Sequence, residues 1–123
     1  MMSNDYDLED RLIEFAVKIV QLAESLPNTR AGRHISGQIL RSGTSPAPNY
    51  GEAQAAESRS DFIHKMKVCL KELRETKVWL KMIVKANLNR SDIKPLMKEN
   101  DELISIFYTS ISTAKKNLKG NCG

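Results

Sequence analysis

Residues 38–57, Gln38-Ile-Leu-Arg-Ser-Gly-Thr-Ser-Pro-Ala-Pro-Asn-Tyr-Gly-Glu-Ala-Gln-Ala-Ala-Glu57, decide the fold. On composition alone, a Ser/Thr run with two prolines and two glycines is a loop. Its edges argue otherwise. The segment begins inside an apolar-periodic run (Ile35, Ile39, Leu40) and ends in helix-forming sequence (Ala53, Ala55, Ala56). Pro46 removes a donor and crowds the carbonyl of Ser42, and Pro48 does the same to Thr44. Nearby hydroxyls and the Asn49 side chain are expected to satisfy the freed carbonyls. The segment is therefore expected to kink a helix near 46–48 rather than end it.

Outward from this stretch the chain is periodic at helical spacing. Leu8, Leu12, Phe15, Ile19, Leu22 and Leu26 recur three or four residues apart, behind the candidate caps Asp5 and Asp7. Pro27 stops that segment, and Asn28 or Thr29 opens the next. Ser58 or Ser60 caps a third, with a seam of Phe62, Met66, Cys69, Leu73, Thr76, Leu80 and Ile83 closed by Asn87-Leu88-Asn89. Ser91 and Asp92 precede a fourth, in which Pro95 sits in the first turn. Its seam runs through Ile93, Met97, Asn100, Leu103/Ile104, Phe107, Ile111, Ala114 and Leu118, with Lys115, Lys116 and Lys119 at the negative end of the dipole.

No segment alternates apolar and polar residues as a half-buried strand would. The expected fold is an all-α, up-down-up-down antiparallel four-helix bundle in one domain, with helices near 8–26, 29–56, 60–86 and 92–118. Its expected core includes Leu12, Phe15, Ile19, Leu22, Ile39, Phe62, Met66, Leu73, Leu80, Ile104, Phe107 and Ile111. At 123 residues with 41% apolar composition, the chain supports one core and not two.

Net charge is +4, but it is unevenly spread. Residues 5–25 carry six acids against two bases, and residues 61–85 carry seven bases against three acids. Such asymmetry suits polyanion binding or the alignment of subunits. No run is long and apolar enough for a membrane span. The acidic N-terminus lacks a signal-peptide pattern and Cys69 and Cys122 form no disulfide framework, so the cytoplasm is the expected compartment.

Three stretches resemble the bacterial four helix bundle protein family: Arg41–Ala53, Ser60-Asp-Phe-Ile-His-Lys-Met-Lys67, and Leu70-Lys-Glu-Leu-Arg-Glu-Thr-Lys-Val-Trp-Leu80. That family includes proteins encoded within intervening sequences of large-subunit rRNA genes. It is related to the accessory variability protein of diversity-generating retroelements. The resemblance spans roughly residues 8–118 and implies an antiparallel bundle assembled as a ring-like homopentamer. It implies no assigned activity for most members. The retroelement relative works with a reverse transcriptase and binds nucleic acid, a role that reaches this chain only by analogy. Arg41, Asn49 and Glu52 match the family's wording and are expected to be structural, with a buried Glu52 near Arg41 fixing the kink.

Lys67, Lys71, Arg74, Lys81 and Lys85 fall in a strip roughly 80° wide along the third periodic segment. The strip is about 27 Å long, comparable with a run of several phosphates, and is the candidate site for RNA or DNA. A solvated helix flank is the plainer account of these charges in a monomer. Repetition around a ring changes the balance. Val68, Trp79 and Met82 lie on the opposite flank and are the candidate oligomer interface, because an exposed Trp is a favoured anchor.

Enzyme chemistry is disfavoured. His34 and His64 are isolated, so no metal site is expected. Cys69 sits on the apolar seam as a small hydrophobe, and the serines lack a Gly-x-Ser-x-Gly frame. No Gly-Lys-Ser/Thr follows the glycines, so no nucleotide loop and no cofactor are expected. Two functions remain. One is a non-catalytic accessory protein contacting phosphates through the basic strip. The other is a homo-oligomeric scaffold binding an acidic protein partner.

Overall fold

The computed structural model describes residues 4–122, with side chains from 8 to 118. Among these the chain forms α1 (Asn4–Ser25), α2 (Arg30–Thr44), α3 (Pro46–Gln54), α4 (Arg59–Lys85) and α5 (Lys94–Cys122), and no strand. Asp5 and Asp7 lie inside α1 and so do not precede it, and their side chains, like those of Lys119 and Cys122, lie outside the described residues.

α2 and α3 are one kinked helix. Ser45 between them keeps helical angles (φ −68°, ψ −37°). Its N–H donates to Arg41 O at 3.2 Å, and its carbonyl accepts from Asn49 N at 3.2 Å. The Asn49 amide does not reach the carbonyls of Ser42 or Thr44. It donates instead to Ser45 O (3.0 Å) and Ser45 Oγ (2.9 Å), bracing the bend itself.

The helix ends follow the sequence chemistry. Thr29 caps α2 by accepting from Gly32 N at 3.0 Å, and Ser58 rather than Ser60 caps α4 by accepting from Asp61 N at 3.0 Å. Asn87, at φ 58°, takes the left-handed position that closes α4. Beyond it, Leu88 N–H returns to Ile83 O at 3.0 Å. Asp92 Oδ1 accepts from Lys94 N at 3.0 Å ahead of α5.

Around the bundle the order is α1, kinked α2–α3, α4, α5. α1 and α4 are diagonal partners. Phe15, Phe107, Leu12, Ile19, Ile39, Met66, Leu73, Leu80, Ile83 and Leu103 fill the interior. Two expected core positions shift by one residue. Ile63 is buried and Phe62 half-buried, because α3 stops at Gln54 and leaves one side of Phe62 open beside Ala53, Ala56 and Arg59. Leu103 turns fully inward, while Ile104 is half-buried.

The motif that decided the fold also explains its close packing. A Cβ on Gly43 would lie 2.7 Å from Ile19, so α1 and α2 meet there without room for a side chain. Ser42 Oγ is buried 2.8 Å from Thr76 Oγ1, which donates to Glu72 O, leaving Ser42 as the donor of the pair. Tyr50 stands edge-on to Phe107 with ring centroids 5.9 Å apart, a favoured aromatic arrangement. Asn100, fully buried, donates to Leu73 O at 3.2 Å. A buried amide of this kind pins the register of α5 on α4.

Candidate nucleic-acid interface

α4 presents two flanks of opposite character. The flank toward α2 is clasped. Arg41 Nη1 donates to Glu72 Oε1 at 2.9 Å and Nη2 to Glu75, while Trp79 Nε1 donates to the same Glu75 carboxylate at 3.0 Å. His34 of α2 stands edge-on to Trp79 with centroids 6.1 Å apart. The Arg41 guanidinium is pushed above its ordinary pKa, first by its hydrogen bond to Glu72.

This arrangement corrects the expected Arg41–Glu52 pair. Glu52 is exposed, not buried, and accepts from Lys65 Nζ at 2.8 Å across the α3–α4 turn. The kink points Arg41 and Glu52 at different stretches of α4, which sequence distance alone does not reveal. Trp79 is likewise no exposed anchor. It is half-buried against the core and hydrogen-bonded, Val68 is half-buried, and Met82 alone of the three is exposed.

The outward face of α4, between the clasped flank and the side that meets α5, holds the basic strip. Lys67, Lys71, Arg74, Lys81 and Lys85 are all exposed, and among the described residues none makes an ion pair. The lysines bordering the strip behave differently: Lys65 pairs with Glu52 at 2.8 Å and Lys77 with Asp101 at 2.9 Å. Lys94 and Tyr108 stand seven residues either side of Asp101, so they share the α5 face that meets Lys77. Sequence reading missed both. The available signal was the heptad Lys94, Asp101, Tyr108, Lys115. Val78, half-exposed within the strip, was missed as well.

On the far side of the bundle, Ile13, Val17 and Val20 are between 39% and 47% exposed and form one stripe of α1. Leu40, one turn before Gly43, extends it on α2. The spacing of four and three was legible but lies beside a stronger seam. Glu9, Asp10 and Glu24 border it.

Cys69 is not placed for reactivity. Burial pushes its thiol up to about 12, far from the range of a reactive thiolate. Its sulfur lies 3.5 Å from Pro46 O. Among the described residues no three His, Cys, Asp or Glu side chains group as a metal site, and no helix is long and apolar enough to cross a membrane.

An antiparallel four-helix bundle with one kinked helix and a basic face defines the class. The model of the 23S rRNA-intervening sequence protein family matches residues 4–109, and the chain belongs to that family. A crystal structure of a protein of unknown function from the S23 ribosomal protein family of Bacteroides thetaiotaomicron is 36% identical to it. That match covers 89% of this chain and 99% of the other, with a TM-score of 0.80. No curated protein matches the chain.

Proposed function

We propose that this protein is a non-catalytic accessory factor that holds the phosphate backbone of nucleic acid along the α4–α5 face. One observation carries the proposal: five exposed cations on one flank lack intramolecular ion-pair partners, while the lysines beside them are paired. A charge that only solubilises a helix gains from a neighbouring carboxylate, and Glu72 and Glu75 stand on the same helix. Both are engaged by Arg41 instead. Unneutralised cations spaced over about 27 Å release counterions from a polyanion and read no bases. RNA is the first probe to use, given the family's name. Replacing Lys71 and Arg74 together with Gln is expected to weaken RNA binding across unrelated sequences while circular dichroism stays unchanged. Equal affinity of the double variant and the parent would overturn the proposal.

A second reading, a homo-oligomeric scaffold, is favoured by the α1–α2 face. A stripe of three exposed aliphatics bordered by acids suits a second copy of the chain, and the resemblance implies five. An acidic protein partner would then occupy the basic face. Light scattering at micromolar concentration tests assembly. A pentamer mass supports the ring, and a strictly monomeric mass removes it.

A further inference from the structure

We propose that the α4–α5 face is built for single-stranded nucleic acid, with Tyr108 as the platform on which an unpaired base stacks. The inference rests on the phosphate-binding reading above and names its ligand more narrowly. Tyr108 is 58% exposed, the most exposed large apolar or aromatic side chain among the described residues. It makes no hydrogen bond or ring contact there, whereas Tyr50 and Trp79 both stand edge-on to other rings.

Its position follows from two contacts that set the register. The short connection from Lys85 to Lys94 makes α5 antiparallel to α4, and Lys77–Asp101 with Asn100–Leu73 O sets those residues level. Two turns beyond Asp101, about 10.5 Å along the axis, Tyr108 stands level with residues 65–70 of α4. Lys67 lies within that stretch, and Lys71 and Arg74 follow within about one turn on the outward face of α4. Val78, 50% exposed, lies among the same cations.

A surface that binds only a duplex backbone needs cations and hydrogen-bond donors, and gains nothing from exposed apolar groups. Cations beside an unpartnered aromatic ring are what a single strand needs. The charges track the phosphates, and the ring offers a face to bases that are not paired. Stacking tolerates any base, because every base has a π-face.

Fluorescence anisotropy distinguishes the alternatives. The probes are a labelled single-stranded RNA of about 15 nucleotides without secondary structure and the matching duplex. The intact protein is expected to bind the single strand at least about tenfold more tightly at one fixed salt concentration. Tyr108→Ala is expected to lose about tenfold on the single strand, with duplex affinity and salt dependence unchanged, and Tyr108→Phe to retain parental affinity. Salt-sensitive binding that treats both probes alike and ignores Tyr108→Ala would overturn the single-strand inference and leave phosphate binding standing. No binding of either probe at low salt would remove both.

Discussion

The two flanks of α4 differ in what happens to their charges. Toward α2, Glu72 and Glu75 are tied to Arg41, and Trp79 closes over the junction with His34 at its edge. Toward α5 there is one pair, Lys77–Asp101, and the outward face beside it carries a run of cations without ion-pair partners among the described residues. The α5–α1 junction repeats the first pattern, since Arg11 holds Glu99 at 2.7 Å and Glu102 at 3.0 Å. Two junctions of the bundle are thus laced by a single arginine each. The other two differ: α1–α2 is bordered by an exposed apolar stripe, and α4–α5 carries one lysine pair, Lys77–Asp101, beside the unpaired basic strip. The difference teaches that surface charge here divides into groups that hold helices together and groups kept available.

That division is open to attack at neighbouring residues. Trp79 and Val78 are adjacent in sequence but sit on different flanks. Trp79→Ala is expected to cost about 2 kcal/mol, less than a fully buried Trp because the ring is only half-buried, whereas Val78→Ala costs under about 0.5 kcal/mol. Urea unfolding of the two variants measures this. Similar losses would mean that the flanks do not differ as described.

The seam between the flanks has its own test. The Cys69 thiol is held neutral by burial, with its pKa raised to about 12. An unfolded chain ionises that thiol from about pH 9, so it binds fewer protons than the native state above that pH. Stability is therefore fully present below about pH 9 and falls by about 1 kcal/mol per pH unit as pH rises from there towards 12. Comparing denaturation at pH 8 and pH 10 with a Cys69→Ala variant isolates this contribution. An identical pH slope in parent and variant would show that the seam is wet.

Arg41→Gln should have a small effect. The arginine side chain is 51% exposed. Two ion pairs at so solvated a surface are worth about 0.5 kcal/mol together after screening, and less in high salt. Thermal melts at low and high ionic strength check it. A loss above about 2 kcal/mol, well outside the range of surface substitutions, would make the clasp a structural keystone rather than a surface lacing.

Much of this was legible in the sequence, for identifiable reasons. The helices, their antiparallel order and the caps Thr29 and Ser58 follow from period and side-chain chemistry. The continuation of a helix through Pro46 and Pro48 was legible because apolar-periodic sequence precedes them and Ala-rich helix-forming sequence follows. That both prolines fall in the first turn after Ser45, where a missing N–H is tolerated, was not. The partners of Arg41 and Glu52 were not. Both lie on the kinked helix, and which stretch of α4 each meets depends on the bend and the antiparallel register, not on local spacing. Phe62 against Ile63, and Ile104 against Leu103, are pairs of adjacent apolar residues that a binary pattern cannot separate. The basic strip was visible as spacing. Its lack of partners was not, because a sequence does not say which lysines a neighbouring helix will neutralise. Tyr108 was hidden for the same reason, since its significance comes from α5 lying beside α4.

The most direct test is the salt dependence of RNA binding by the intact protein. Plotted as log affinity against log salt, single-strand binding is expected to fall linearly, with a slope between about −2 and −3.5 if three to five strip cations each displace counterions from a phosphate. A flat plot, or no binding at low salt, would contradict the account and leave the open basic face to an acidic protein partner.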